Sequence, residues 1–342
     1  MLSLSSIPYT LQPGFARTFE SGCLTLGIVF PIEASGFGVP TLQGQARLAR
    51  KAEAHGFAAL WVRDIPLLDP EFGDMGQIFD PWVYLGYIAG HTQHVALGTA
   101  SSIVPIRHPL HLAKSATSVD QLSGGRLLLG VATGDRQVEF PAFGIDPDQR
   151  GELFREYVEV LRRSQKTRFE TLQWRGGYLS GADMIPKPYA EEVPLLITGN
   201  SRQSLDWIAS NSHGWISYPR PPVHQKNFIN SWRAAVRQQC GDIFKPFCNA
   251  LNIDLTASPD SPPEPIHLGY RLGRNHLIDL LDALRDVGVN HVMLNLRFGK
   301  RPAEEMLDEL GEYVVAHFPA RTTEPLSDSY SPSHTIELKV KP

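Results

Sequence analysis

Short, unbroken apolar runs recur along this chain, each followed by a stretch with helical spacing. The runs cover residues 24–30, 58–62, 95–100, 126–132, 194–198, 214–218, 247–255 and 290–296. Except for 247–255, which polar residues interrupt, they do not alternate apolar with polar as a strand with one wet face would. They therefore predict strands buried on both faces, the habit of parallel sheets covered by helices. Helices are predicted over 42–55, 81–90, 109–122, from about 149, and over 202–210, 224–239, 275–287 and 302–317. Asp80 followed by Pro81 reads as an N-cap and a first helical position, and Gly56 as a helix end. The helix near 149 carries Glu152, Glu156 and Glu159 early and Arg162 and Arg163 late, the order the helix dipole favours, with Asp148 as its N-cap.

Eight strand–helix units predict an α/β fold closed as a (β/α)8 TIM barrel. A doubly wound open sheet would carry a glycine fingerprint after its first strand. Gly36-Phe37-Gly38 lacks the third glycine of such a motif. The expected organisation is an irregular lead-in (1–23), the barrel (24–318) and a polar tail (319–342) in which 336–340 could pair as a strand. Residues 165–192 break the rhythm between helix 4 and strand 5 and read as an insertion over one end of the fold. Residues 258–265 hold four prolines and read as irregular. The loop 65–80 is long enough to have a function of its own.

The chain has 342 residues, 32 basic and 36 acidic, and no block of either sign, so no nucleic-acid surface is expected. Cys23, Cys240 and Cys248 show no CxxC spacing and read as reduced thiols of a cytoplasmic protein. No apolar run is long enough to span a bilayer, and the first twenty residues lack the basic and apolar regions of a secretory signal.

Barrels bind ligands at the C-terminal ends of their strands. That places Phe30, Arg63, Asp64, Ala100, Ser101, Thr133, Gly134, Thr198, Gly199, Asn200, Ser201, Ser217, Tyr218 and Arg297 at one mouth. In LLITGNSRQS (195–204), Ser201 is expected to cap a helix and Ser204 to add a hydroxyl. Free N–H groups at a helix start attract anions, and Arg150, opening the helix after strand four, supplies positive charge. Together they describe a phosphate cradle; the plain alternative is that Ser201 only caps and Arg150 only pairs with a carboxylate. Arg63-Asp64 reads either as an ion pair closing strand two or as a contact to a bound group. Arg297 either faces an anionic substrate or is solvated. His108 and His111 stand three apart, yet HxxH without a carboxylate partner does not make a metal site. His108 is read instead as a wall or proton donor of the active site, and His91 and His94 as surface residues at the opposite end.

The segments SGGRLLLGVATGD (123–135) and EFPAFGID (139–146), followed by an arginine opening a helix, resemble the bacterial luciferase-like flavin monooxygenases. The resemblance extends over roughly 24–318. It implies that Ser201, Ser204 and Arg150 hold an FMN phosphate. Thr133, Gly134, Thr198, Gly199 and Asn200 would line the cofactor, and a non-prolyl cis peptide at Ala100–Ser101 would lie under the flavin ring. His108, Arg63, Asp64 and Arg297 would be the candidates facing the chemistry. It further implies reduced FMN as co-substrate, a separate flavin reductase, O2, a small organic substrate and a homodimer. Three alternatives stand beside it: a deazaflavin-dependent hydride-transfer oxidoreductase, a flavin-binding protein without catalysis, and a metal-dependent barrel hydrolase built on His108 and His111. A cysteine that the family often has where strand four ends is absent, Ala132 and Thr133 standing there, and luminescence is not expected.

Overall fold

In a computed structural model, which describes residues 4–32, 42–72 and 79–322, eight parallel strands close into a barrel. They are β1 (Thr25–Phe30), β2 (Ala59–Val62), β3 (Ala96–Thr99), β4 (Leu127–Ala132), β5 (Leu195–Thr198), β6 (Gly214–Ser217), β7 (Phe247–Leu255) and β8 (His291–Asn295). Closure is the pairing of β8 with β1, with Thr25 opposite His291 and Ile28 opposite Leu294. The surrounding helices are α1 (Gln45–Ala54), α2 (Pro81–Ala89), α3 (Pro109–Leu122), α4 (Arg150–Lys166), α5 (Leu205–Asn211), α6 (Pro222–Cys240), α7 (Arg274–Asp286) and α8 (Ala303–Tyr313). The predicted (β/α)8 architecture is present, each strand falling on its apolar run.

Two apolar layers hold it together. One lies between strands and helices. The other fills the barrel with Ala59, Trp61, Ala96, Leu128, Leu196 and Met293 among others. Trp61 needs room that only glycine leaves: a Cβ on Gly98 would lie 2.3 Å from the indole, and one on Gly27 would lie 2.6 Å from its nitrogen. Trp61 Nε1 donates to His291 Nε2 at 2.9 Å, and Thr25 Oγ1 lies 2.7 Å from the other ring nitrogen. Burial pushes the His291 pKa down to about 3, so this imidazole stays neutral and structural.

The lead-in is more ordered than its sequence suggested. Pro13–Thr18 forms a helix with proline in its first turn. It presses Phe15 and Phe19 into the barrel's inner cluster. The Gln12 side chain accepts from Phe15 N at 2.8 Å and donates to Asp120 Oδ1 and Leu127 O. The N-terminal end of the barrel is therefore plugged, which leaves the other end as the mouth.

The insertion forms a hairpin (Leu172–Trp174 with Gly177–Leu179). Leu172 and Trp174 pack on Val160 of α4 and Leu110 of α3. Lys187, buried, donates to the carbonyls of Ser164 and Thr167 and pairs with Asp183. The insertion thus runs along α3 and α4. The proline-rich stretch also departs from expectation, since Glu264–Ile266 and Gly269–Leu272 form a hairpin added to β7. The three cysteines are free. The Gly36–Gly38 motif and the 336–340 segment lie outside the described residues.

Candidate functional site at the barrel mouth

The strand ends bring several predicted residues together. Ala100–Ser101, directly after β3, is a cis peptide, as the resemblance implies. Thr99 Oγ1 donates to Gly130 O at 2.6 Å, and a Cβ on Gly130 would lie 2.0 Å from Thr99 O, so β3 and β4 pack this closely only because residue 130 is glycine. The Ser101 hydroxyl touches the Thr198 hydroxyl at the end of β5. Ser201 Oγ donates to Thr198 O at 2.8 Å, and Trp215 Nε1 donates to Gly199 O at 2.7 Å. Thr133 is buried where β4 ends, and Gly134 has a φ of +84°. A Cβ on Gly199 would meet nothing within 4 Å, so the backbone faces open space there, and Asn200 beside it is exposed.

Two expected caps move. Ser204, not Ser201, caps α5, accepting from Trp207 N at 3.2 Å. Ser201 and Arg202 instead adopt left-handed backbone, φ +42° and +55°, a region side-chain-bearing residues avoid. At α4 the N-cap is Gln149 rather than Asp148, with no side-chain cap; Asp148 N donates to Asp146 Oδ1.

This loop and the start of α4 are one assembly. Gln203 Nε2 donates to Gly151 O at 2.8 Å, and Arg155 donates to Gln203 Oε1. A Cβ on Gly151 would lie 3.0 Å from Arg202 Cβ. Arg150 thereby comes beside Arg202. Arg150 stacks 5.1 Å above the Phe140 ring and donates from Nη1 to Pro147 O, while its buried Nε has no hydrogen-bond partner among the described residues. Burial, then the neighbouring Arg202, lowers the Arg150 pKa from the guanidinium range, though arginine remains charged in proteins. Two adjacent guanidiniums with an orphaned donor suit a doubly charged anion. Arg202 was missed from sequence, because the backbone conformation that aims it at Arg150 leaves no residue signature.

Asp64 is not paired with Arg63. Its carboxylate takes a bidentate pair from Arg107, Nε to Oδ2 at 2.7 Å and Nη2 to Oδ1 at 2.6 Å, and also accepts from Ser102 Oγ and Ile103 N. It anchors the chain that leaves β3. Arg63, half-buried, reaches toward Asp135 and Tyr218. Arg297 lies near Arg63, so those two candidates do share the mouth.

Glu139 was also missed. It is 2% exposed, and its Oε1 has no hydrogen-bond partner among the described residues. Burial, reinforced by Asp64 and Asp135 and opposed by Arg136, pushes its pKa from 4.5 up to about 7. The folded state thus holds a proton that the unfolded chain releases, so this group subtracts stability as pH rises from 4.5 through about 7. Glu139→Gln is expected to flatten the fall of the urea midpoint across that window; an unchanged pH profile would contradict the assignment.

His108 stands apart from this group. It precedes α3, exposed, with its ring centroid 5.6 Å from His111 and 5.6 Å from Trp174 of the insertion. Burial, then His111, lowers its pKa. With Lys114, Met184 and Ile185 the two histidines line a cavity of about 360 Å³ between α3 and the insertion. His91, half-buried against Tyr87, and exposed His94 lie at the far end. Among the described residues, no three His, Cys, Asp or Glu converge to hold a metal, and no helix is long and apolar enough to cross a membrane.

Comparisons with known proteins bear on the family and the fold. Residues 24–243 match the family described as luciferase-like monooxygenase. An uncharacterised protein of Mycobacterium tuberculosis is 33% identical over 215 residues, 56% of this chain and 74% of that one. The alkanal monooxygenase alpha chain of Photorhabdus luminescens is 24% identical over 166 residues, 48% of this chain and 44% of its own length. The beta chain from the same organism is 26% identical over 171 residues, 49% of this chain and 52% of its own. The crystal structure of monooxygenase RslO1 from Streptomyces bottropensis superposes with a TM-score of 0.73 at 18% identity, covering 86% of this chain and 99% of that one. An F420-dependent secondary alcohol dehydrogenase in complex with an F420-acetone adduct gives 0.71 at 18% identity, with the same coverage. These two structural likenesses bear on fold alone.

Proposed function

The chain belongs to the luciferase-like monooxygenase family, and from that premise we propose that it is the oxygenase component of a two-component FMN monooxygenase. It would take reduced FMN from a separate flavin reductase and use O2 on a small organic substrate. The observation that carries this reading is the Arg150–Arg202 pair, with the Arg150 Nε left without a hydrogen-bond partner among the described residues. A phosphate monoester carries nearly two negative charges at neutral pH, which two guanidiniums match. The residues present therefore fit FMN: Arg150, Arg202, Ser201 and Ser204 would hold its phosphate. Ala100, Ser101, Thr133, Gly134, Thr198, Gly199 and Asn200 would line the rest.

Reduced flavin, when bound, supplies the electrons that activate O2. The chain's own part is placement. The close β3–β4 packing fixes the backbone at Ala100 and Ser101, and the Ser101–Thr198 contact fixes the next strand end but one. Oxygen-18 gas, reduced FMN and a panel of aldehydes, ketones and carboxylates provide the test. One labelled oxygen in a product supports the reading. Release of hydrogen peroxide alone, with every panel member unchanged, would contradict it.

A second reading, hydride transfer with a deazaflavin, draws on the F420-dependent neighbour. It keeps the barrel and replaces O2 with a carbonyl or alcohol substrate. A homodimer is proposed through the outer face of α2, where Val83 is 72% and Tyr87 53% exposed. A partner copy seated there would cover both apolar side chains. Replacing both with glutamate is expected to halve the mass seen by light scattering; an unchanged mass would place the interface elsewhere.

A further inference from the structure

Tyr218, just past β6, combines an anchored backbone with an unengaged hydroxyl. Along β6, Ile216 belongs to the barrel's inner cluster, whereas Trp215 packs outward against Phe228 and Trp232 of α6. Side chains alternate along a strand, so Tyr218 continues the inward row. Its surroundings agree. It lies within electrostatic reach of Arg63, which leaves β2, and of Asp135, which follows β4. β2 stands opposite β6 in the eight-strand ring, so the two side chains extend toward each other over the barrel axis.

The backbone here is held from two directions. Asn249, fully buried on β7, donates from Nδ2 to the carbonyls of Ser217 at 3.0 Å and Tyr218 at 3.4 Å. Arg220 donates from Nη1 to Ser217 Oγ and to Tyr218 O, both at 3.0 Å, and stacks 3.7 Å over the Phe228 ring. The side chain is treated differently. It is 47% exposed, and its hydroxyl makes no hydrogen bond among the described residues.

Burial, then Asp135, raises the Tyr218 pKa, and Arg63 opposes them. The phenol therefore keeps its proton at neutral pH and presents a donor. Charges of both signs, Arg63 and Asp135, act on it, which favours an uncharged acceptor over an ion. Val29 of β1 and Ala100 after β3, partly exposed and packed on the inner cluster, add apolar surface at the strand ends. A fixed donor above such a floor selects a molecule with an apolar body and a neutral oxygen.

We propose that Tyr218 is a specificity-determining residue of this mouth, its hydroxyl donating a hydrogen bond to an uncharged oxygen acceptor, such as a carbonyl, on the organic substrate. The inference rests on the flavin reading, which sets the substrate beside the cofactor-lining residues; Trp215 of the same strand already donates to Gly199 O. The flavin ring carries carbonyl oxygens of its own, so the experiment separates the two recipients.

The test is calorimetric titration of FMN-loaded protein, wild type and Tyr218→Phe, with acetophenone and with ethylbenzene, which has the same shape without the oxygen. The variant is expected to bind acetophenone about tenfold more weakly, the upper value of one neutral hydrogen bond, and ethylbenzene and FMN as before. The infrared carbonyl stretch of bound acetophenone is expected at lower frequency in wild type than in the variant. Equal effects on both probes, no effect on either, or no acetophenone binding to wild type overturns the assignment. Weakened FMN binding with acetophenone binding unchanged also overturns it, giving the hydroxyl to the flavin. If wild-type protein binds no FMN, the flavin reading fails on its own, and the same comparison on FMN-free protein still decides the role of Tyr218.

Discussion

Arg150→Ala is expected to weaken FMN binding by about tenfold to a hundredfold and to leave riboflavin binding unchanged. The range is that of one or two charge-assisted hydrogen bonds lost to a phosphate, about 1.5–3 kcal/mol. Riboflavin lacks the phosphate and so isolates its contribution. Arg150→Lys should recover only part of the loss, because an ammonium restores charge without the planar fork. Arg202 stands against the same turn of α4, so Arg150→Ala and Arg202→Ala together should cost less than the sum of their separate effects. Fluorescence titration reads all of these. Equal losses for FMN and riboflavin would show that Arg150 shapes the fold of the loop instead of holding the phosphate.

The largest stability effect is expected at Asp64. Its side chain is 1% exposed and accepts from Arg107 twice and from Ser102 and Ile103 once each. Asp64→Ala leaves the Arg107 guanidinium with one carboxylate, Asp80, at 3.1 Å, and removes the acceptor of a buried backbone N–H. Breaking a buried pair on one side costs about 3–5 kcal/mol. The remaining Asp80 contact places the expected loss near the lower figure. Urea unfolding measures it, and a loss below about 1 kcal/mol would contradict the role given to this carboxylate. Arg107→Ala and the double variant should resemble Asp64→Ala, because one network is broken in each. Ser102 and Ile103 follow Ser101 directly, so the same change should also weaken FMN binding.

The barrel was legible because strands buried on both faces must be apolar throughout, and eight such runs alternating with helices close simply in one way. The gathering of Ser101, Thr198, Gly199 and Ser201 followed from that closure, since each lies just past a strand. What the sequence left hidden depends on backbone conformation or on partners far along the chain. Ser201 looks like a cap, but left-handed backbone at 201 and 202 moves the helix start to Leu205 and passes the cap to Ser204. The Arg63-Asp64 dipeptide suggested a local pair, yet neighbours on an extended segment point apart, and Asp64 finds Arg107 beyond the next strand. Glu139 sits in a motif that was noticed, but its surroundings include Asp64 and Leu67, about seventy residues earlier in the chain. The lead-in helix had its signal, Pro13 in a first turn, and was obscured by its short length. His108 was placed by its proximity to a strand end, whereas its ring turns outward to Trp174.

The most direct measurement compares binding of oxidised FMN, anaerobically reduced FMN and a reduced deazaflavin to metal-stripped protein, side by side. Reduced FMN is expected to bind most tightly, and Arg150→Ala to reduce that binding. A preference for the deazaflavin would contradict the oxygenase reading, and binding of none of the three would contradict the flavin site itself.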